Sequence, residues 1–171
     1  RGASSCDELF AQAALLGIEA LAVVDRNSLA GVVRAHEAAK ATGLRLIVGC
    51  RLDLADGMSL LVYPQDRAAY GRLCRLLSLG KSRGGKGLCH LEWADVVAYG
   101  EGLIAVLLPD TADDACAMHL RRLREAFGTN AYVALTLRRR PNDQLRIHEL
   151  ANLATRMRVP SVVTNDVLFH H

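Results

Sequence analysis

The feature that most constrains this chain is a recurrence of short, uninterrupted apolar runs separated by longer stretches with helical spacing. The runs fall at residues 20–24, 45–49, 59–63, 103–107, 131–135 and 161–164. None alternates with polar residues, which is the pattern of strands covered on both faces in a parallel sheet. Helical spacing fills the intervals. Ser5 and Glu8 stand at capping-box spacing before Leu9, Phe10, Ala13, Ala14 and Leu16, and Gly17 can supply the left-handed stop. Further helices are predicted over 28–42, closed by Gly43, and over 65–79, 91–98, 110–127 and 142–156. Alternation of this kind predicts an α/β fold with a largely parallel sheet, either doubly wound or closed toward a barrel. The turn after the first strand lacks the glycines of a dinucleotide site, so the barrel is preferred. In such barrels the chemistry collects at the strand ends, which directs attention to Asp25, Arg26, Arg51, Leu108, Pro109, Asn165 and Asp166. The stretch GKSRGGKG at 80–87 is predicted to be a mobile basic loop.

Composition narrows the class. With 171 residues, 51% of them hydrophobic and 23% charged, the chain can bury one substantial core. A formal net charge of +3 permits contact with a polyanion but is weaker than the footprint of a dedicated nucleic-acid binder. Cys6, Cys50, Cys74, Cys89 and Cys116 are odd in number and never form a CxxC pair, which argues against a disulfide framework or zinc ribbon and suits a reducing cytoplasm. No apolar stretch approaches the roughly 20 residues of a membrane span, and the first residues lack the apolar core of a signal peptide.

Four segments then carry a resemblance: VVDRNSLAGVVRAH (23–36), GLRLIVGCRLDL (43–54), YPQDRAAYGRLCRL (63–76) and VPSVVTNDVL (159–168). In this order they resemble consecutive motifs of the polymerase-and-histidinol-phosphatase (PHP) domain of bacterial C-family DNA polymerases, similar to the replicase alpha subunit. The error-prone branch matches best, since DRNSLAG stands where replicase relatives carry DHG. The resemblance implies a distorted (β/α) barrel made incomplete because the family's opening strand, with its His-X-His metal motif, belongs before Arg1. It also implies a parent polymerase that copies damaged template with magnesium held in a distant palm. On that reading this domain is a single unit packed against thumb and palm, and it meets primer-template DNA only through the parent.

In metal-binding members, histidines, carboxylates and a cysteine from strand ends form a cup for a metal cluster that activates water against a phosphoester. Motif by motif, Arg1 falls on an aspartate position, Arg26 on a histidine position and Arg51 on a glutamate position. A guanidinium stays protonated and has no lone pair to offer a metal. Ser59, Leu108 and Leu168 replace a histidine, a cysteine and a histidine, and Asp166 alone is retained. The resemblance therefore implies a domain without metal, cofactor or catalytic residues, in which Arg26 and Arg51 face Asp25 and Asp166 in place of cations. The plainer alternative points both arginines at solvent. Two other functions stay open: a metal-dependent phosphoesterase or proofreading 3'-5' exonuclease completed by upstream residues, and a basic nucleic-acid-binding module.

Other motifs are weaker. His148 and Glu149 start a HisGlu pair, but Asn152 occupies the second histidine of a zinc-protease motif. Cys89, His90 and Glu92 lie together at a predicted loop-to-helix junction, and His170 and His171 end the chain. Lys81, Arg83 and Lys86, Arg121, Arg122 and Arg124, and the run 138–140 are candidate phosphate contacts, with Lys81, Arg83 and Lys86 preferred. Aromatic residues make up only 5% and do not interleave with them, so a single-strand stacking platform is not supported.

Overall fold

The computed structural model describes residues 4–165. Its helices are α1 (Cys6–Leu15), α2 (Val32–Thr42), α3 (Arg67–Gly84), α4 (Trp93–Tyr99), α5 (Asp114–Phe127) and α6 (Asp143–Met157). Its strands are β1 (Ala20–Arg26), β2 (Arg45–Asp53), β3 (Ser59–Pro64), β4 (Leu103–Leu107), β5 (Ala131–Thr136) and β6 (Ser161–Thr164). The six strands lie side by side in sequence order and curl into a half-barrel. Local signals set several boundaries. The Ser5–Glu8 capping box forms in both directions and starts α1, while Gly43 at φ 74° ends α2 in the left-handed region that its missing Cβ permits.

The sheet is largely parallel, as expected, with one strand reversed. β1 and β2 pair in parallel, as do β4, β5 and β6, but β3 runs antiparallel to both neighbours. The cause is the short connection after β2. Residues 54–58 close a hairpin in which Leu54 N–H donates to the Met58 carbonyl at 2.9 Å, and parallel strands need a crossover of a dozen or more residues. Reversal of β3 brings its first residue, Ser59, to the same edge as the last residues of the other strands.

The helices cover one face of the sheet. Leu52, Leu60, Leu107, Leu73, Leu120 and Leu150 are fully buried members of the main core there. The opposite, concave face carries a thinner apolar strip of Leu61, Val106 and Ala134, flanked by Val24, Tyr63 and Tyr132. Gly49 makes that strip possible, because a Cβ at its position would meet the Tyr63 ring at 2.6 Å and Val24 at 2.8 Å.

Three further expectations are corrected. α2 and α5 begin at Val32 and Asp114, later than the spacing suggested, because the Asp25 carboxylate holds the Gly31 N–H in the turn before α2 and Asp113 caps α5 by accepting the Cys116 N–H. The basic stretch at 80–87 is no loop over its first half: α3 continues through Gly84, so Lys81 and Arg83 are helical. Among the described residues no helix is long and apolar enough to cross a membrane.

Candidate functional site

Strand parity decides which side chains share the mouth of the half-barrel. Successive residues of a strand point to opposite faces. Arg51 is opposite Leu61 and Asp53 is opposite Ser59, so Arg51, Asp53 and Ser59 lie on the concave face with Leu61, and the Arg26–Arg51 register places Arg26 with them. Leu108, Thr136 and Thr164 follow by the same parity at the ends of β4, β5 and β6. Leu108 N–H donates to the Ser59 carbonyl at 2.9 Å, and the two threonine hydroxyls meet at 2.6 Å.

Asp53 is the centre of the first polar cluster. Its Oδ1 accepts from Arg51 Nε at 2.9 Å and from the Ser59 hydroxyl at 2.6 Å. The other Arg51 branch reaches Ser59 Oγ at 3.4 Å. Asp53 Oδ2 is buried and accepts no hydrogen bond of good geometry among the described residues; its counter-charge is the Arg26 guanidinium, in ion-pair contact. Burial alone would push the Asp53 carboxyl up, but the Ser59 and Arg51 hydrogen bonds and the charges of Arg51 and Arg26 outweigh it and hold the group below the usual carboxylate range. Asn27, at φ 49°, completes the clamp: its side chain accepts from Asp53 N–H at 3.0 Å and its own N–H donates to the Arg51 carbonyl at 2.7 Å.

The arginines thus face Asp53 and not Asp25. Asp25 precedes Arg26 on the strand, so it points to the opposite face, where its carboxylate accepts the Gly31 N–H at 2.7 Å. The expected pairing with Asp25 is thus corrected, and that with Asp166 lies outside the described residues; nor do both arginines point at solvent, since Arg51 is largely buried, while Arg26 keeps most of its surface in solvent yet ends at the Asp53 carboxylate. Asp53 escaped notice because β2 was expected to end at residue 49. The R-L-D-L alternation at 51–54, with Leu52 buried between the charged pair and Leu54 buried after it, was the signal for a longer strand.

A second cluster follows β5. Asp143, at the start of α6, accepts the backbone N–H groups of Arg138 and Arg139 and the Nε of Arg146. Burial pushes its carboxyl up, and these donors, Arg146 first, hold it low instead. Arg146 also donates to the Thr136 carbonyl, and Arg138 pairs with Asp110, whose carboxyl that hydrogen bond holds low. Nothing in the chain order of residues 110, 138, 143 and 146 announces this network.

The remaining candidates separate. Arg83 is bound to Asp95 at 2.6 Å, Arg122 stacks over Trp93 at 5.2 Å, and Arg124 donates to the Met157 carbonyl at 3.3 Å. Those three are committed to the fold, whereas Lys81 and Lys86 are exposed. His90 approaches Glu92 at 3.7 Å, and burial pushes the neighbouring Cys89 thiol up, the wrong direction for a nucleophile. His148 is exposed on α6. Arg1, Asp166, Leu168, His170 and His171 lie outside the described residues.

Among the described residues the mouth does not suit a metal cluster. Its described side chains offer one carboxylate already faced by two guanidiniums, and no group of three His, Cys, Asp or Glu able to hold a cation occurs among the described residues.

Comparison with known proteins gives this geometry its context. Error-prone DNA polymerase 1 of Agrobacterium fabrum is 71% identical over 170 residues, covering 99% of this chain and 16% of that protein. The error-prone DNA polymerase of Caulobacter vibrioides is 45% identical over 172 residues with the same coverage. The chain therefore spans about 16% of the length of these relatives. Among solved structures, a putative metal-dependent phosphoesterase from Bifidobacterium adolescentis has a similar fold, with TM-score 0.70 at 15% identity, over 99% of this chain and 84% of that one. An amidohydrolase from Chromobacterium violaceum gives TM-score 0.66 at 16% identity with the same coverage. The family model described as PHP domain matches residues 1–156, and on that match this chain belongs to the PHP domain family.

Proposed function

We propose that this chain is the PHP unit of an error-prone, translesion DNA polymerase of the bacterial cytoplasm, and that it supports the polymerase structurally without metal or hydrolytic activity of its own. The observation that carries the reading is the convergence of Arg26 and Arg51 on Asp53 at the strand-end mouth. Guanidiniums supply there the positive charge that metal cations supply in a hydrolytic cup, but they neither ligate water nor lower its pKa. Nucleotidyl transfer, with its magnesium, belongs to other parts of the parent, and this unit packs against thumb and palm beside primer-template DNA. High identity to polymerases over nearly the whole chain supports the assignment to that parent. The likeness to a phosphoesterase, at 15% identity, carries the fold alone.

The test combines metal content with activity. Full-length protein purified without chelator is expected to carry no stoichiometric zinc, manganese or iron, and to release nothing from single-stranded DNA, mismatched primers or small phosphate esters in manganese. Primer extension is expected to persist. A metal ion held by the PHP unit, with turnover lost in Asp53→Ala, would instead favour a working phosphoesterase or proofreading exonuclease.

A further inference from the structure

Helix α3 carries Arg67, Arg72, Arg75, Lys81 and Arg83 and not one acidic residue. Its buried positions, Ala69, Leu73, Leu76, Leu77 and Gly80, define one face packed on the sheet. Opposite that face, at helical spacing, stand Arg67, Gly71, Arg75, Ser78 and Ser82, with Lys81 beside them and Lys86 just beyond the helix end. Two of the helix's five cations are accounted for at its flank. Arg72 donates to the Glu101 carbonyl at 2.9 Å, and Arg83 pairs with Asp95. Arg67, Arg75 and Lys81, and Lys86 after them, have no ion pair among the described residues. The carboxylate nearest in sequence, Asp66, is turned to the helix end and caps Ala69 N–H at 2.7 Å. Arg67 also occupies the first turn, where the helix dipole disfavours a cation.

Gly71 gives a second, independent observation. A glycine inside a helix costs about 1 kcal/mol relative to alanine. Two other glycines of α3 have a packing reason: a Cβ at Gly80 would meet Cys89 Sγ at 2.6 Å, and one at Gly84 would meet the Cys89 backbone at 2.9 Å. A Cβ at Gly71 would meet nothing within 4 Å, and its φ is ordinary. The fold does not require this glycine, yet it leaves bare backbone midway between Arg67 and Arg75.

From these observations we infer that the outer face of α3 docks the phosphate backbone of duplex DNA, with Arg67, Arg75, Lys81 and Lys86 as phosphate contacts and Gly71 as the point of closest approach. The choice of DNA as ligand rests on the polymerase reading above. The face itself favours that ligand over a protein. Its cations, the groups that bind phosphate, are interleaved with small residues such as Gly71, Ser78 and Ser82, the two serine hydroxyls donating back to the Cys74 and Leu79 carbonyls, and it lacks the large apolar centre of a protein interface. One exposed aromatic, Tyr70, borders the stripe, and a single ring is not the run of stacking aromatics that a single strand uses. The helical rise sets Arg67 and Arg75 about 12 Å apart along the axis, with Lys81 about 9 Å further, a track that spans several phosphates.

The experiment measures binding of full-length protein to a short fluorescein-labelled blunt duplex by anisotropy, across a range of potassium chloride concentrations. Each phosphate contact contributes about 0.9 to the slope of log affinity against log salt. The variant Arg67→Ala/Arg75→Ala/Lys81→Ala is expected to flatten that slope by about 3, and Gly71→Gln, which keeps every charge, to weaken binding several-fold. Circular dichroism melts of both variants confirm folding before they are compared, and Arg75→Ala alone, expected to flatten the slope by about 1, replaces the triple variant should that one fail to fold. An unchanged slope with the folded cation variant, or full-strength binding by Gly71→Gln, overturns the assignment. Primer extension by the wild type is scored separately: its failure would refute the polymerase reading, whereas an unchanged slope with normal extension would refute only the α3 face.

Discussion

Replacing Arg51 by alanine leaves only the exposed Arg26 to balance a carboxylate that the fold has largely removed from water. The side chains of Arg51 and Asp53 keep only 22% and 14% of their surface exposed, and the guanidinium serves both Asp53 Oδ1 and the Ser59 hydroxyl. Exposed ion pairs contribute about 0–1 kcal/mol, and breaking a fully buried one costs about 3–5 kcal/mol. A pair this covered but open at the mouth falls between, so Arg51→Ala should cost about 2–3 kcal/mol. Arg26 is 68% exposed, and Arg26→Ala should cost less than about 1 kcal/mol. The double change Arg51→Ala/Asp53→Asn should recover part of the loss, because the stranded charge is gone and the amide oxygen can still accept from Ser59.

The pH dependence has a definite sign. The Asp53 carboxyl lies below its ordinary value in the folded state, so the stability it contributes is fully present above about pH 4 and is lost as pH falls through the depressed folded value. Denaturant melts of wild type, both single variants and the double variant supply the cycle, and repeating wild type and Asp53→Asn at falling pH tests the linkage. Single effects within about 0.5 kcal/mol that simply add, with a wild-type advantage indifferent to acid, would refute the claim that the arginines are structural counter-charges.

Other consequences of the structure are open to direct measurement. Burial pushes the Cys50 thiol up to about 12 and that of Cys116 up to about 11, so at pH 8 a thiol reagent should modify neither until the chain unfolds, while partly exposed Cys6 and Cys74 react first; mass mapping of labelled peptides reads this. Gly80→Ala should cost about 1–3 kcal/mol in a melt, because the new methyl meets Cys89 Sγ and the buried Leu91, whereas Gly71→Ala should stabilise by up to about 1 kcal/mol. Asp143→Ala should free the backbone at 138–139 and speed tryptic cleavage among the arginines at 138–140, seen as earlier appearance of the corresponding fragments.

The sequence was most legible where a local signal and the global fold agree. The apolar runs at 103–107 and 161–164 are strands with those bounds, and the Ser5–Glu8 box and Gly43 mark helix ends through contacts three or four residues long. What stayed hidden depends on partners distant in sequence or on direction. An apolar run carries no arrow, so β3 reads the same whether parallel or antiparallel, and only the short hairpin at 54–58 reverses it. Composition marked 80–87 as a loop, but Gly80 and Gly84 are held helical by the close approach of residues 88–91, which a side chain at either position would obstruct. At the mouth, the positions of Arg26, Arg51 and Ser59 were readable from motifs, while Asp53 required knowing that β2 runs four residues further and that parity then turns it inward.

That parity also sets the charge balance of the mouth. Among the described residues, two guanidiniums against one carboxylate leave a local excess of one positive charge, carried on strands and clamped by Asn27. A divalent cation about 5 Å from such an excess, at an effective dielectric near 20, meets repulsion on the order of 7 kcal/mol before any ligand is counted. Metal binding at this point would therefore take more than adding a carboxylate from elsewhere in the protein, since the arginines would have to leave as well. Their departure carries its own cost, because Arg51 also holds Ser59 at the start of β3, the strand whose reversed direction joins the two parallel halves of the sheet. Positive charge is here built into the covalent chain, and the mouth is tied to the stability of the half-barrel.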